Sequence, residues 1–517
     1  MSPLRIQAET AHGRVEGADS GGILAFKGIP YAEAPQGRFR FQPPRPLKGW
    51  KGVRSAHRCG PVPIQPSLPI FRFLNAGAAR QSEDCLYLNV WTPGTEGTKR
   101  PVLVWIHGGG FLIGAGSTPV YDGHHLAQSG DIVVVTINYR LGALGFVHLD
   151  GLAKSGFEES SNLGTRDQIA ALEWVRENIG EFGGDPENVT VCGQSAGAMS
   201  VGALLGAPSA RGLFRRAILQ SGAGRHVIDR DRADEAAELF LDELGNPRCT
   251  PKSLGALSAN QILSAQGAVN RKLMNARDLM VMMPCVDGHL ITEAPLEAIG
   301  KGRVSDIDIM IGTTLDEWKL FSPLDAALLR SSESRLVSRF AELLPQTVSN
   351  PPDPELAVQA YREALVKRGG RTTPFEILSA FQSMRVFHHP AFELADRHGN
   401  AGGRVHSYLF SWKPPAFARS LGACHAMELP FVFGLTNHPL SRALTGFTSF
   451  TGSARRLAGR MQSAWTGFAR NGRPGHPGLP EWDPYDSVAR PTMVFDRECT
   501  LADNPLAAER NLLEAWS

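Results

Sequence analysis

The first residue that could do chemistry is Ser195, which stands in a Gly-x-Ser-x-Gly pattern between Gly193 and Gly197. A β-branched run, VTVCG, leads into the pattern, and an apolar stretch rich in small residues follows it. A strand, a sharp turn and a buried helix in this order expose a serine hydroxyl above a sheet edge and aim a helix N-terminus at any oxyanion formed there. A chain with 55 glycines produces the bare pattern by chance, so the context has to decide whether Ser195 is a nucleophile.

A glycine-rich stretch upstream of the serine supplies that context. Residues 107–111 read His-Gly-Gly-Gly-Phe and follow an apolar run. A tight turn after a strand would explain the glycines. The functional interpretation is a loop that binds an oxyanion, because glycine backbone approaches a carbonyl closely enough to donate N–H groups to it. Since both halves occur in the required order, we expect the N–H groups of Gly109, Gly110 and Ala196 to be the donors.

Strands and helices must position these residues, and both are visible as periodic patterns. Continuous apolar runs suit strands that are covered on both faces, as in parallel sheets; they lie at 102–106, 132–137, 189–193, 216–221, 307–312, 405–410 and 492–495. Residues 165–179 are predicted to form a helix, with its apolar face made by Ile169, Leu172, Val175 and Ile179. Strands that alternate with helices indicate βαβ units and a sheet rich in parallel strands.

Composition excludes several function classes. The 517 residues include 53 basic and 51 acidic side chains, and a net charge of +2 does not suit a nucleic-acid or polybasic membrane surface. No stretch reaches the roughly 20 apolar residues of a membrane span, and the first ten residues contain no signal-peptide core. The seven cysteines are odd in number and scattered, which argues against a disulfide framework and a zinc site. We expect a cytoplasmic protein without membrane or nucleic-acid partners.

Four longer motifs identify the family that the sequence resembles. They are residues 83–93, 138–142, 182–197 and 220–222. With them the chain resembles the type-B carboxylesterases, the group of α/β-hydrolases that includes the cholinesterases, and within it the bacterial para-nitrobenzyl esterases. The resemblance runs from Gly13 to about Phe495. It implies one α/β-hydrolase domain over residues 1–517: a large, mostly parallel, twisted sheet with helices on both faces. The mostly helical region at about 225–385 is expected to cap that sheet.

The resemblance also implies the two partners of the serine. The family's acid lies in a Gly-x-x-x-Asp-Glu stretch, which makes Glu317 the acid and leaves its neighbour Asp316 as the competing choice. The family's histidine pattern matches residues 422–431 and places His425. The chain order serine, acid, histidine leaves other histidines open; those are His388, His389, His398, His406, His438 and His476. His425 is favoured over them because small residues flank it.

Departures from the family bear on the substrate. Gln194 stands where the family commonly has glutamate, and no tryptophan lies between Trp50 and Trp91, where cholinesterases carry their cation–π platform. Both features disfavour a cationic substrate. Trp318 replaces a common glycine and is expected to narrow the pocket, so the predicted substrate contacts are Gln194, Trp318 and Phe321. Secreted relatives bridge the cysteine that corresponds to Cys85; a Cys59–Cys85 bridge is possible here but not favoured.

The resemblance therefore implies a serine carboxylesterase that hydrolyses neutral alkyl or aryl esters through an acyl-enzyme on Ser195, as a monomer or weak homo-oligomer without metal or organic cofactor. An amidase or carbamate hydrolase with the same residues is the alternative, and a non-catalytic interaction protein on this fold is the rival of a different class. Several apolar residues fit either ordinary core packing or a pocket wall; they are Met274, Met280, Met282, Met283, Trp412 and Phe417.

Overall fold

The computed structural model describes most of the chain, and every bound below refers to that part. The described residues are 5–67, 80–96, 99–152, 156–245, 249–273, 280–324, 332–414, 421–435, 441–442 and 452–517. Met274, Phe417 and His438, which the sequence singled out, lie outside these ranges.

Thirteen strands of the described chain form one sheet. They are β1 Arg5–Thr10, β2 Gly13–Asp19, β3 Leu24–Pro30, β4 Val53–Ser55, β5 Tyr87–Thr92, β6 Arg100–Ile106, β7 Val133–Ile137, β8 Gly184–Gln194, β9 Arg216–Gln220, β10 Asp308–Thr314, β11 Val405–Phe410, β12 Pro491–Phe495 and β13 Thr500–Asp503. Their order across the sheet is β1-β2-β3-β5-β7-β6-β8-β9-β10-β11-β12-β13, and β4 pairs with β2 beside this path.

The sheet is parallel at its centre and mainly antiparallel at its two margins, where β4 adds a parallel pair with β2. From β7 through β6, β8, β9, β10 and β11 to β12, every neighbouring pair is parallel. The pairs from β1 to β7 and the pair β12–β13 are antiparallel. Short connections such as the one between β1 and β2 allow antiparallel pairing, whereas parallel neighbours need a crossover. The predicted parallel-rich sheet is confirmed for the centre, which carries the candidate site.

Helices cover both faces of the sheet. They are α1 His124–Gly130, α2 Gly142–Phe146, α3 Leu163–Asn178, α4 Ala196–Leu205, α5 Arg230–Glu243, α6 Pro251–Gly255, α7 Ala259–Leu273, α8 Pro295–Gly300, α9 Glu333–Leu343, α10 Pro354–Lys367, α11 Pro374–Ser383, α12 His389–Asn400, α13 Leu429–Val432, α14 Gly452–Asn471 and α15 Ala507–Trp516. The helix predicted at 165–179 is α3, and its four apolar residues are buried.

Strand β6 shows how one sheet serves two cores. Side chains alternate between the faces of a strand. Val102, Val104 and Ile106 therefore join the core under α3 and α4, and Leu103 and Trp105 join the core under α1, α13 and α14. All five side chains are buried. Burial on both faces explains why the run at 102–106 is continuously apolar rather than alternating.

The range from about 225 to 385 contains α5 to α11 and also strand β10. Helices α9, α10 and α11 pack with α15 around a third apolar core of their own. Met282 and Met283 are buried in the core under α3 and α4, and Met280 packs against it, so the core-packing interpretation is confirmed for these three methionines. Trp412 is buried in the opposite core.

Two further expectations concern cysteines and membranes. The thiols of Cys59 and Cys85 are both free; Cys59 is exposed and Cys85 is buried. Within the described ranges, none of the helices has both the length and the apolar character needed to cross a bilayer.

Candidate active site

Ser195 lies in the turn between β8 and α4. Its backbone has φ 56° and ψ −128°, a conformation that non-glycine residues adopt rarely and that clusters at functional sites. The Ser195 N–H donates to the Gln220 carbonyl at 2.8 Å, and the Ser195 carbonyl accepts from the Met199 N–H at 2.9 Å. The serine is thus pinned to strand β9 on one side and to the first turn of α4 on the other, with its side chain half-buried.

The two glycines of the pattern are required by close backbone approach. A Cβ atom at Gly197 would lie 2.0 Å from the Ile106 carbonyl oxygen, and a Cβ at Gly193 would lie 2.3 Å from the Gly197 carbonyl carbon. Neither distance is compatible with a side chain, so the sharp turn predicted around Ser195 is confirmed.

The glycine-rich loop after β6 lies directly against this turn. A Cβ atom at Gly108 would stand 3.0 Å from the Ser195 Cβ. Gly109 has φ +117°, and a Cβ there would be 2.0 Å from the Ile113 carbonyl oxygen. Within the described chain, the N–H groups of Gly109 and Gly110 have no hydrogen-bond partner. The N–H of Ala196, the first residue of α4, has no intrahelical partner either. These three N–H groups, without a partner in the described part of the chain, belong to the glycine-rich loop and to the first residue after Ser195.

Glu317 follows strand β10, two strands away from β8, and is fully buried. Its Oε2 lies 2.6 Å from His425 Nδ1, and its Oε1 accepts from the Thr314 N–H at 2.7 Å. Burial raises the pKa of Glu317, but the charge and the hydrogen bond of His425, together with the Ser221 hydroxyl, outweigh burial and lower the pKa below its usual value. Glu317 is therefore an ionised carboxylate that is aimed at the His425 ring.

Asp316, the competing carboxylate, faces elsewhere. Its Oδ2 accepts from the Ala423 N–H at 3.0 Å, and its Oδ1 lies 3.1 Å from Lys319 Nζ. Burial raises the pKa of Asp316, but Lys319, Lys413 and the Ala423 N–H lower it overall. Asp316 joins the turn after β10, which carries Glu317 and is called the acid turn below, to the loop before His425. Among the described contacts, Asp316 has none with the His425 ring.

If His425 acts as a base toward Ser195, its Nε2 atom is the one that accepts the serine proton. In this structure Gln194 Nε2 lies 3.0 Å from it. Among the described side chains, Gln194 rather than Ser195 is the hydrogen-bond neighbour of this nitrogen. With Nδ1–H donated to Glu317, the other ring nitrogen of a neutral imidazole is an acceptor, and the Gln194 amide occupies it. Catalytic hydrogen bonds that are long without substrate often tighten in the reacting complex.

Three aromatic side chains form one wall of the site. The Phe321 ring centroid lies 5.1 Å from that of His425, and the Phe387 centroid lies 4.8 Å from it. The rings of Phe321 and Phe387 are stacked nearly parallel, with 8° between their planes and 6.1 Å between their centroids. Trp318 is buried and contacts Phe321 at 5.3 Å. Phe321, which is half-buried, is thus the aromatic member beside His425 that is open to a ligand, and Trp318 supports it from behind.

A layer of buried polar side chains underlies the acid and the histidine. Glu428 accepts from Gln220 Nε2 at 3.0 Å, and the Gln220 Oε1 accepts from the indole N–H of Trp465 at 2.9 Å. Burial, followed by the nearby charge of Glu317, raises the pKa of Glu428 to about 7. Glu428 therefore holds its proton far more readily than an exposed glutamate.

The structure brings the sequence-predicted residues Gln194, Trp318, Phe321 and His425 to one place with Ser195, Glu317 and the glycine loop. Sequence reasoning missed Phe387 against His425, and it treated His388 as an open alternative to His425. His388 instead bonds Thr313 beside the acid turn, with 2.6 Å between its Nδ1 and the hydroxyl. The sequence signal that could have found Phe387 is its position next to His388, at the junction of two helical stretches.

Comparison with known proteins adds an independent line. The sequence profile of the Carboxylesterase family matches residues 4–513. The chain is 38% identical to para-nitrobenzyl esterase of Bacillus subtilis (strain 168) over 98% of this chain and 97% of that protein. It is 35% identical to phenmedipham hydrolase of Pseudarthrobacter oxydans, with 92% of each covered. The crystal structure of a Geobacillus stearothermophilus carboxylesterase superposes with a TM-score of 0.86 at 39% identity, covering 99% of this chain and all of that one.

Proposed function

This chain belongs to the carboxylesterase family and is a carboxylic ester hydrolase, and from that premise we propose that it cleaves neutral esters through an acyl-enzyme on Ser195. The observation that carries the proposal is the 2.6 Å contact between Glu317 Oε2 and His425 Nδ1. The contact lies beyond the carboxyl ends of the central strands, where Ser195 and the glycine-rich loop also lie, and this supports assigning the roles of nucleophile, base, acid and N–H donors to these residues.

In the proposed mechanism, Glu317 holds the His425 tautomer that has its acceptor at Nε2. The Ser195 hydroxyl displaces the Gln194 amide from that nitrogen and passes its proton to it while Oγ attacks the ester carbonyl. Glu317 then stabilises the imidazolium. The N–H groups of Gly109, Gly110 and Ala196 hold the oxyanion. His425 returns the proton to the departing alcohol, and water repeats the sequence on the acyl-enzyme.

The substrate class follows from the side chains around this centre. Gln194 supplies an amide dipole rather than a charge, and Trp318 and Phe321 supply an apolar wall. A neutral aryl or short-chain alkyl ester loses little by leaving water for such a site, whereas a quaternary ammonium group gains no opposite charge from Gln194. Neutral esters are therefore the proposed substrates.

Carbamates are the second candidate, with amides beside them. The observation that favours a carbamate is the family member that hydrolyses phenmedipham, a carbamate hydrolase at 35% identity. Esters, carbamates and amides pass through the same tetrahedral oxyanion, so the same residues would serve all three. A panel of phenyl butyrate, a phenyl carbamate and an anilide of matched size ranks them by kcat/KM.

The test of the proposed function is Ser195→Ala. Loss of the nucleophile in such a group of residues lowers kcat by on the order of 10⁶, with the fold intact by circular dichroism. Ser200→Ala is the matched control: Ser200 lies on the same buried helix, and its hydroxyl bonds the Ala196 carbonyl rather than His425. An organophosphate should label Ser195, as mapped by peptide mass spectrometry. A Ser195→Ala enzyme with more than about one per cent of wild-type activity would refute the acyl-enzyme and revive the non-catalytic alternative.

The remaining expectations belong to the same proposal. The chain works as one domain, with the helical region at about 225–385 as a cap, and acts as a monomer or weak homo-oligomer in the cytoplasm without nucleic-acid partners. The free thiols of Cys59 and Cys85 suit a reducing compartment, and the net charge of +2 offers no polyanion surface. Sedimentation and cell fractionation test the oligomeric state and the compartment.

A further inference from the structure

A five-residue π-helical turn, Met384–His388, joins α11 to α12 beside the site. Such turns are rare within helices and occur frequently at functional sites. This one places Phe387 against the His425 ring and the next residue, His388, against Thr313 at the end of β10. We propose that His388 is a positioning residue that holds the Glu317 turn in register with His425. The inference rests on the proposed function, in which Glu317 is the acid.

The geometry shows what His388 holds. Its Nδ1 lies 2.6 Å from the Thr313 hydroxyl, and its ring faces the Leu315 carbonyl. The next residue after Thr313 donates its N–H to Glu317 Oε1 at 2.7 Å. A displacement of this segment therefore moves the carboxylate that faces His425.

The far side of the acid turn is anchored to the same helical unit. The N–H of Trp318, the residue after Glu317, donates to the Ser383 hydroxyl at 3.0 Å. Ser383 is the last residue of α11 and in turn donates to the Ser379 carbonyl at 2.7 Å. Residues before and after Glu317 are thus tied to one junction between two helices, and His388 provides the anchor on the strand side.

The charge state of His388 suits this task. Burial lowers the pKa of His388 to about 4, although Glu317, Asp316 and the Leu315 carbonyl act to raise it and Arg368 lowers it further. The His388 ring is therefore neutral near pH 7, at which the esterase activity is assayed. A cation at this position would pair with Glu317 and compete with the His425 imidazolium, whereas a neutral ring orients the turn through hydrogen bonds and leaves the carboxylate for His425.

An ordinary core histidine would explain the burial of His388, and the chain offers a matched example. His398 on α12 is also fully buried, and its Nε2 lies 2.9 Å from the carbonyl of Ile307. Ile307 precedes β10, at the end of the strand opposite to Glu317. The two histidines therefore bond the two ends of one strand, and only the acid end bears on catalysis.

The experiment compares His388→Phe and His398→Phe, which both remove the ring nitrogens and retain a ring. His388→Phe should lower kcat for para-nitrophenyl butyrate by about 10- to 100-fold, the scale of a small misplacement of a reacting group. KM should stay within about twofold, because the substrate does not touch His388. The acid limb of the kcat/KM profile should move to lower pH, since a misaligned carboxylate stabilises the imidazolium less. His398→Phe should lower Tm without either change.

Two further variants keep the test decisive. His388→Asn should restore most of kcat, because an asparagine side chain places a hydrogen-bonding atom near the position of Nδ1. If His388→Phe fails to fold, Thr313→Val removes the same hydrogen bond with little change in volume, and kcat should fall by about tenfold.

Wild-type kcat and pH profile in the folded His388→Phe enzyme, or in Thr313→Val when His388→Phe does not fold, would overturn the positioning role. Equal losses of kcat in His388→Phe and His398→Phe would overturn it as well. Loss of activity in Ser195→Ala alongside either result would leave the proposed function standing. Activity retained in Ser195→Ala would instead refute the proposed function itself.

Discussion

The turn that carries Ser195 follows strand β8, and the turn that carries Glu317 follows strand β10, so both lie at the carboxyl ends of central strands. Different contacts hold the two turns in place. Around Ser195 the neighbours are backbone atoms: a Cβ at Gly197 would stand 2.0 Å from the Ile106 carbonyl oxygen. Around Glu317 the neighbours are side chains from distant segments, among them His425, Ser383 and His388. The serine turn therefore has almost no freedom to change, whereas the acid turn depends on several separate bonds.

Substitutions in the two turns should therefore have effects of different kinds. A methyl group added at a close contact between two backbone segments overlaps main-chain atoms, which cannot move aside by rotating as a side chain does. Such a substitution therefore displaces the turn. A side-chain anchor fails by degrees, because the remaining bonds still hold part of the geometry. Substitutions at Gly197, Glu317 and Asp316 test this contrast, and substitutions at Glu428 and Gln194 test the polar side chains around the site.

Gly197→Ala should break the serine turn outright. Its methyl group overlaps the Ile106 carbonyl oxygen, so kcat/KM should fall by at least about 10³-fold, the scale of a lost oxyanion donor or a displaced nucleophile. Gly459→Ala on α14 is the control, since a Cβ there meets nothing within 4 Å, and alanine favours a helix by about 1 kcal/mol over glycine. Esterase assays measure the loss of activity, and thermal unfolding measures any loss of stability. Near wild-type activity in Gly197→Ala would show that the turn rearranges to accommodate the methyl group.

Glu317→Gln should lower kcat by about 10⁴-fold, because an amide no longer fixes the His425 tautomer or stabilises the imidazolium. Asp316→Asn should change kcat by less than about tenfold, since Asp316 pairs with Lys319 and not with His425. Its effect should instead be a lower Tm, because the nearly buried Lys319 loses one of its two carboxylate partners. Single-turnover and steady-state assays rank the pair, and the reverse ranking would identify Asp316 as the acid.

Glu428→Gln should change how stability depends on pH. The pKa of Glu428 in the folded state, about 7, lies above the ordinary 4.5, so the folded protein holds this proton more tightly than the unfolded chain. That contribution to the free energy of unfolding is complete below about pH 4.5 and is lost as the pH rises through about 7. The neutral amide has no such loss. The free energy of unfolding of Glu428→Gln, measured relative to that of the wild type, should therefore rise by about 1–3 kcal/mol from pH 5 to pH 8.

Urea unfolding at the two pH values measures this difference. A constant difference between Glu428→Gln and wild type across the range would show that Glu428 is already ionised at neutral pH in the folded protein.

Gln194→Glu should have the smallest effect, a several-fold change in substrate preference. Wild type should hydrolyse phenyl butyrate with a higher kcat/KM than butyrylcholine, because Gln194 carries no charge. A carboxylate next to the serine attracts the quaternary ammonium group and narrows the gap. Gln194→Met, similar in size and uncharged, should leave the gap unchanged. A wild-type preference for the choline ester would mean that another group in the site binds the cation.

The local half of the site was readable in the sequence, and the reason is physical. The glycines around Ser195 and the run before Gly109 encode backbone geometry within a few residues, so the strand, the turn and the donors could be predicted together. Helix α3 was equally legible, since its apolar face is periodic.

The acid half was not readable to the same depth. Asp316 and Glu317 are adjacent, and which of them faces His425 depends on the direction of the turn that follows β10. The anchors of that turn, Ser383 and His388, lie in a helical stretch far along the chain, and nothing local announces a π-helical turn there. The antiparallel pairing at the margins of the sheet was likewise not predicted, because it includes pairs such as β3–β5 and β5–β7, whose strands are far apart in the chain.

The hydrogen bond from Trp465 to Gln220 joins residues 245 positions apart, and it has a consequence for biosynthesis. The layer beneath the acid and the histidine is incomplete until α14 has been translated, and contacts of such high sequence separation form late. During synthesis, the nascent chain should therefore expose the apolar face of the sheet that α14 covers, and it should need chaperones to avoid aggregation. Chains truncated before α14 also lack β12, β13 and α15, and protease should cleave their central strands. Protection of those strands would show that they assemble without the C-terminal segment.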